Sequence, residues 1–126
     1  MLVKGIHHVS LTCTSEKQYE ETIYFYNQLL GMNIWKQWEN GIMLMAGEDV
    51  IEIFLKDEKD LSQGAIRHFA FAVDDCDACI ETVRNAGYTI TVEPKDVVIP
   101  SNPEYLARVG FCIGPVKEEI EFFQER

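Results

Sequence analysis

The chain states one pattern twice, and that repeat restricts its fold more than any local propensity. A strand, a helix and three strands can be read between about residues 5 and 56, and again between about 65 and 125. The junctions correspond: Leu30-Gly31-Met32-Asn33-Ile34 holds the place of Ala86-Gly87-Tyr88-Thr89-Ile90, and Ile6-His7-His8 that of Ile66-Arg67-His68. A module of roughly 60 residues buries little core alone, so two such modules are expected to pair through their sheets. The expected fold class is α+β, a single domain over 1–126. Two tandem βαβββ modules form a curved, mostly antiparallel sheet around a cleft.

Each element has a local cause. Residues 5–13 alternate as a strand, with Ile6, His8, Ser10 and Thr12 on one face and His7, Val9, Leu11 and Cys13 on the other. Ser15 with Gln18 three residues on reads as a capping box. Tyr19, Ile23, Tyr26 and Leu30 follow at helical spacing as the buried stripe, and Gly31 closes the helix. Strands are expected at Asn33–Gln37 and Ile42–Ala46, joined by a hairpin turn at Asn40-Gly41. After a second turn at Gly47-Glu48-Asp49 comes Val50-Ile51-Glu52-Ile53-Phe54-Leu55. Residues 56–64 are polar and read as a linker. In the second module, 65–73 is a strand, Asp74 or Asp75 caps a helix to about Ala86, and Gly87 ends it. Tyr88–Val92 is then a strand, and 93–104, holding three of the four prolines, a long loop of a kind that is often functional. Leu106–Ile113 and Glu118–Gln124 are the last strands.

Charge narrows the partners. Eleven basic against twenty-one acidic residues give −10, which repels nucleic-acid phosphates and anionic membranes alike. No apolar run approaches the roughly 18 residues of a membrane span. The N-terminus enters the first strand pattern without a signal-peptide core, so a cytoplasmic location is expected. Cys76 and Cys79 form a CxxC, but with Ile80 and Val83 they fall at i, i+3, i+4 and i+7. They, like Cys13 and Cys112, are read as structural thiols, not as a redox or zinc motif.

Four polar residues interrupt otherwise apolar strands. His8 begins the first module and Glu52 ends it; His68 begins the second and Glu121 ends it. An unpaired carboxylate is expensive to bury, so Glu52 between Ile51 and Ile53, and Glu121 between Ile120 and Phe122, call for a partner. Alternation sends the apolar neighbours to the helix side and these four to the concave side, where Ser10, Ala70 and Ala72 leave room. Two imidazoles and two carboxylates suit one divalent transition metal with positions left open for a substrate. His7 is expected to face the opposite way and to be structural.

The order His8, Glu52, His68, Glu121 in paired βαβββ modules resembles the vicinal oxygen chelate superfamily of glyoxalases, bleomycin-resistance proteins and extradiol dioxygenases. The likeness is carried by Ile6-His7-His8-Val9, Phe25-Tyr26-Asn27-Gln28-Leu29-Leu30-Gly31-Met32, Val50-Ile51-Glu52, Arg67-His68-Phe69-Ala70 and Ile120-Glu121-Phe122. The ligand set resembles that of glyoxalase I, lactoylglutathione lyase. The resemblance implies conversion of a 2-oxoaldehyde–thiol hemithioacetal to a 2-hydroxyacyl thioester through an enediolate. It implies one Ni, Co or Zn ion per site, Glu121 as the base, Glu52 as its partner on the opposite face, and a homodimer.

Departures bear on the substrate. Thr12 stands where glyoxalase I carries the Arg that holds glutathione's carboxylate, Lys56 where it carries an Asn, and Gly114-Pro115-Val116-Lys117 keeps only the Pro of the superfamily's usual turn. Lys56, Arg67 or Arg108 are the candidate replacements for the anion contacts. The alternatives are a methylmalonyl-CoA epimerase-like or other metal-dependent enzyme of the superfamily, and an antibiotic-binding protein without catalysis. Glu52 counts against the epimerase, which usually has Gln there, and the intact ligand set counts against the binding protein.

Overall fold

The computed structural model describes residues 6–56, 64, 66 and 68–126; Gly5, most of the expected linker (57–63), Ala65 and Arg67 lie outside the described residues. The chain divides into two compact units, Met1–Leu61 and Ser62–Arg126. The first contains β1 (His8–Cys13), α1 (Glu16–Ile23), a π-helical continuation (Tyr24–Leu29), β2 (Asn33–Trp38), β3 (Gly41–Ala46) and β4 (Asp49–Leu55). The second contains β5 (Phe69–Ala72), α2 (Cys76–Asn85), β6 (Ile90–Ile99), β7 (Tyr105–Ile113) and β8 (Glu119–Glu125). The expected β-α-β-β-β order is therefore present twice. Each unit has one four-stranded sheet, ordered β1-β4-β3-β2 in the first and β5-β8-β7-β6 in the second. In both, the module's first strand runs parallel to its last and the other pairings are antiparallel.

Each helix covers one face of its own sheet. In the first unit Leu11, Cys13, Thr22, Phe25, Tyr26, Ile51 and Ile53 are buried, and the Cys13 thiol donates to Thr22 Oγ1 at 3.4 Å. In the second, Cys76, Ile80, Val83, Cys112, Ile120 and Phe122 are buried. A fully buried side chain of the Leu, Ile or Phe kind contributes about 1.5–3 kcal/mol, so these faces carry most of each unit's stability. Gly110 lets α2 approach: a Cβ there would stand 2.7 Å from Ile80 Cγ1 and 3.3 Å from Cys76 Sγ.

The local signals are realised with three corrections. Ser15 caps α1 by accepting from Gln18 N at 3.1 Å, while Gln18 Oε1 reaches back to Thr14 N at 2.8 Å. Asp75 caps α2 through Ala78 N, and Gly31 and Gly87 close the helical segments at positive φ. The first correction concerns the buried stripe. The helix widens to π winding at Tyr24, which turns the adjacent Phe25 and Tyr26 both inward, while Tyr19, Ile23 and Leu30 are only half-buried. The second concerns the hairpin turn, which is Glu39–Asn40, because Trp38 already pairs with Gly41. Gly41 has a steric role there: any Cβ would run into the Trp38 indole. The third concerns the Pro-rich stretch, which is not a long loop. β6 continues through Pro94 to Ile99 as the edge strand of its sheet, with register shifts between Ile90, Val92 and Lys95. At an edge bulge a residue without an N–H leaves no ladder bond broken.

Candidate metal centre

Both sheets build the same pair of side chains by the same register. Ser10 on β1 lies opposite Glu52 on β4, and Ala70 on β5 lies opposite Glu121 on β8. His8 stands two residues before Ser10 within β1, so it shares that residue's face and overhangs the carboxylate, whereas His68 stands just ahead of β5 and its ring reaches Glu121. His8 Nε2 is 3.4 Å from Glu52 Oε1, and His68 Nε2 is 3.3 Å from Glu121 Oε1. Exposed Ser10 and Ala70 leave the space beside each carboxylate open. The structure thus brings together His8 with Glu52, and His68 with Glu121.

The carboxylates are shielded while the imidazoles reach outward. The Glu52 and Glu121 side chains are 9% and 13% exposed, against 38% for both histidines. Burial raises the Glu121 carboxyl above its ordinary range; neighbouring His68 pulls it back, and Glu119 pushes it further up. A carboxylate so placed is a stronger base than one in water.

Two contributors lie outside the four residues singled out by the strand pattern. The first is His7, which precedes β1, so strand alternation does not govern it. Its ring does not turn away: His7 Nδ1 meets His8 Nδ1 at 2.9 Å, which leaves His8 Nε2 facing Glu52. The second is Glu119, whose Oε1 is 4.0 Å from His68 Nδ1. Its signal was present in the sequence, since Glu119 and Glu121 are separated by one residue of a strand and share a face. The ring of Phe111, opposite Glu121 in the ladder, stands edge-on to His68 at 5.2 Å.

Among the expected anion contacts, Arg108 is already committed on the helix side. It binds Asp77 of α2 through Nε at 2.5 Å and through Nη2 at 2.9 Å, and Asp96 through Nη1 at 3.2 Å. Lys56 lies over the Phe54 ring at 5.7 Å. Arg67 is outside the described residues. Among the described residues no group of three or more His, Cys, Asp and Glu side chains is arranged to hold a metal ion. Each pair offers one imidazole nitrogen and one carboxylate oxygen on a common side, a donor set suited to a divalent transition metal.

The profile of the Glyoxalase/Bleomycin resistance protein/Dioxygenase superfamily matches residues 5–101, and the chain belongs to that superfamily. Solved structures agree on the fold. A glyoxalase/dioxygenase from Nostoc punctiforme is 14% identical with a TM-score of 0.77, over 98% of this chain and 92% of the other. A glyoxalase/bleomycin resistance protein/dioxygenase from Alicyclobacillus acidocaldarius is 19% identical with a TM-score of 0.68, over 97% and 92%. A lactoylglutathione lyase from Agrobacterium tumefaciens is 12% identical with a TM-score of 0.69, over 98% and 96%. Comparison with curated proteins gives no significant match. Proteins of the superfamily generally bind a divalent metal, take small-molecule substrates and commonly dimerise. No helix of the described residues is long and apolar enough to cross a membrane.

Proposed function

We propose that this chain is a metal-dependent isomerase of the glyoxalase I type, converting a 2-oxoaldehyde–thiol hemithioacetal to a 2-hydroxyacyl thioester. The observation that carries the reading is the duplicated His–Glu pair: two modules place the same donors at the same register, and one of the carboxylates is raised by burial. His8, Glu52, His68 and Glu121 together supply the ligands of one nickel, cobalt or zinc ion. When bound, such an ion would polarise the substrate's two neighbouring oxygens and so acidify the proton on C1.

The protein's own part is proton handling. Glu121 removes the proton from C1 and delivers it to C2, so atoms and charge balance with no outside oxidant or reductant. Its shielding from water strengthens it as a base, and Glu119 beside His68 disfavours further negative charge there. Glu52, on the other module, is a ligand and the partner carboxylate for the opposite face of the substrate. His8 and His68 hold position and move no proton. The enzyme works as a homodimer in the cytoplasm, with His8 and Glu52 of one chain completing the ligand set with His68 and Glu121 of its partner.

The test is thioester formation from methylglyoxal hemithioacetals of several thiols, with Ni, Co and Zn each added to metal-stripped protein. Metal-dependent appearance of thioester, abolished in Glu121→Gln, is the expected result. Stoichiometric metal with every hemithioacetal inert would overturn the reaction, and acyl-CoA racemisation by the same protein would establish the epimerase in its place.

A further inference from the structure

The two tryptophans of this chain, Trp35 and Trp38, both lie on β2 of the first unit, at the outer edge of its sheet, and they are 45% and 41% exposed. Burying a tryptophan is among the larger single gains available to a folding chain, so two left open on one edge strand mark a surface kept for binding. Their positions connect them to the carboxylate already described. Trp38 pairs with Gly41, Gly41 pairs with Phe54, and Phe54 shares the face of Glu52 two residues away. The Trp38 and Phe54 rings meet at 5.7 Å, over the glycine that has no side chain to lift them. The register shift between Ile34 and Lys36 sets Trp35 in a bulge, and its ring stands 6.4 Å from His7, the residue bonded to His8. Two aromatic contacts thus lead from the sheet edge inward, Trp38 to Phe54 and Trp35 to His7 beside the His8–Glu52 pair.

Two lysines stand over these rings. Lys36 Nζ stands 5.2 Å from the Trp35 ring centroid, and Lys56 Nζ 5.7 Å from that of Phe54. Among the described residues no carboxylate lies within 4.0 Å of either ammonium, although acidic residues outnumber basic ones twenty-one to eleven. Two ammonium groups over aromatic rings, without a protein counter-ion among those residues, favour a flat anion on this face.

We propose that this face receives the non-reacting part of the substrate, and that this part is a flat aromatic group carrying a carboxylate or similar anion. The inference rests on the isomerase reading for the word substrate, but the binding face itself depends on neither metal nor turnover. Trp35 and Trp38 are the specificity residues, and Lys36 and Lys56 select the charge.

The tryptophans report on their own site. Titrating the full-length, metal-stripped protein with 2-naphthoate should quench indole emission saturably, and calorimetry should give one molecule per chain. Trp35→Phe and Trp38→Phe, each retaining one indole, should both still be quenched. 2-Naphthamide, of the same shape without the charge, should bind about fivefold more weakly, and the Lys36→Gln/Lys56→Gln double variant should erase that difference. A Trp35→Leu/Trp38→Leu variant with unchanged circular dichroism should lose about tenfold in affinity for 2-naphthoate. Absence of saturable quenching would overturn the proposal, as would equal affinity for acid and amide. So would an emission shift that follows protein concentration instead of ligand, which would assign the face to a second copy of the chain. A protein that binds 2-naphthoate as expected but turns over no hemithioacetal would remove the isomerase reading and leave this face assigned.

Discussion

The two His–Glu pairs share a register but not an environment. Glu52 is contacted by His8, whose other nitrogen meets the His7 ring. Glu121 is contacted by His68, whose other nitrogen faces the carboxylate of Glu119. The first pair adjoins a second imidazole and an open aromatic edge, and the second adjoins another acid and the Phe111 ring. In the proposed isomerase these different neighbours would divide the work between ligand and base. The units are braced differently as well. Arg108 and Arg126 tie β7 and the chain's end to Asp96 of β6, and Arg108 also reaches Asp77 of α2. The six residues of β2, by contrast, are all exposed.

The sharpest way to break the comparison is to remove one carboxylate at a time. Glu121→Gln should lower turnover by about two to four orders of magnitude, as loss of a general base does, with the fold intact by circular dichroism. Glu52→Gln should act mainly on metal affinity and leave more turnover at saturating metal. Equal losses at saturating metal would show that the two pairs do the same work. Next in size is the core of the first unit: Phe25→Ala, at the π-helical segment, should cost about 3–5 kcal/mol in urea unfolding. Its counterpart in the second unit is Gly110→Ala, where the new methyl drives into Ile80 and should cost about 1–3 kcal/mol.

Smaller effects separate the units by pH and by thiol chemistry. Arg108 holds the Asp77 carboxyl below its ordinary 3.8, chiefly by a hydrogen bond, and Arg126 with Arg108 does the same for Asp96. A carboxyl depressed by folding adds stability above its unfolded value, and that stability is lost as pH falls through the folded one. Asp77→Asn should therefore weaken the fold slightly at neutral pH and flatten its acid-unfolding limb below pH about 4. Wild-type and variant stabilities should converge at the acid end. Burial pushes the Cys76 and Cys112 thiols up to about 11 and about 12, so neither presents thiolate at pH about 8. Mass spectrometry after brief iodoacetamide treatment should find Cys79, the half-buried one, modified first, with Cys13, Cys76 and Cys112 labelled only on unfolding.

Much of this was legible in the residues because the relevant signals are local. Ser15 and Asp75 cap as their side chains dictate, Gly31 and Gly87 end helical segments at positive φ, and strand alternation put Glu52 and Glu121 opposite their apolar neighbours. What escaped depended on neighbours distant in sequence or on irregular winding. A 3.6-residue period cannot foresee the π widening that buries Phe25 beside Tyr26. Asn40-Gly41 has the letters of a tight turn, but the Trp38 indole claims Gly41 for the space above it. Proline weighed against a strand at 93–99, yet an edge bulge needs no donor from Pro94. His7 was misjudged because alternation was extended one residue beyond the strand that enforces it. Glu119 was readable from its spacing to Glu121.

We propose that the two His–Glu pairs, alike in register, act on one ion. Calorimetric titration of metal-stripped protein with Ni²⁺ tests it, using wild type, His8→Ala and His68→Ala. The account predicts one ion per chain in the wild type and loss of that binding in both variants, although each leaves the other pair untouched. Two ions per chain, or binding that survives either substitution undiminished, would contradict it.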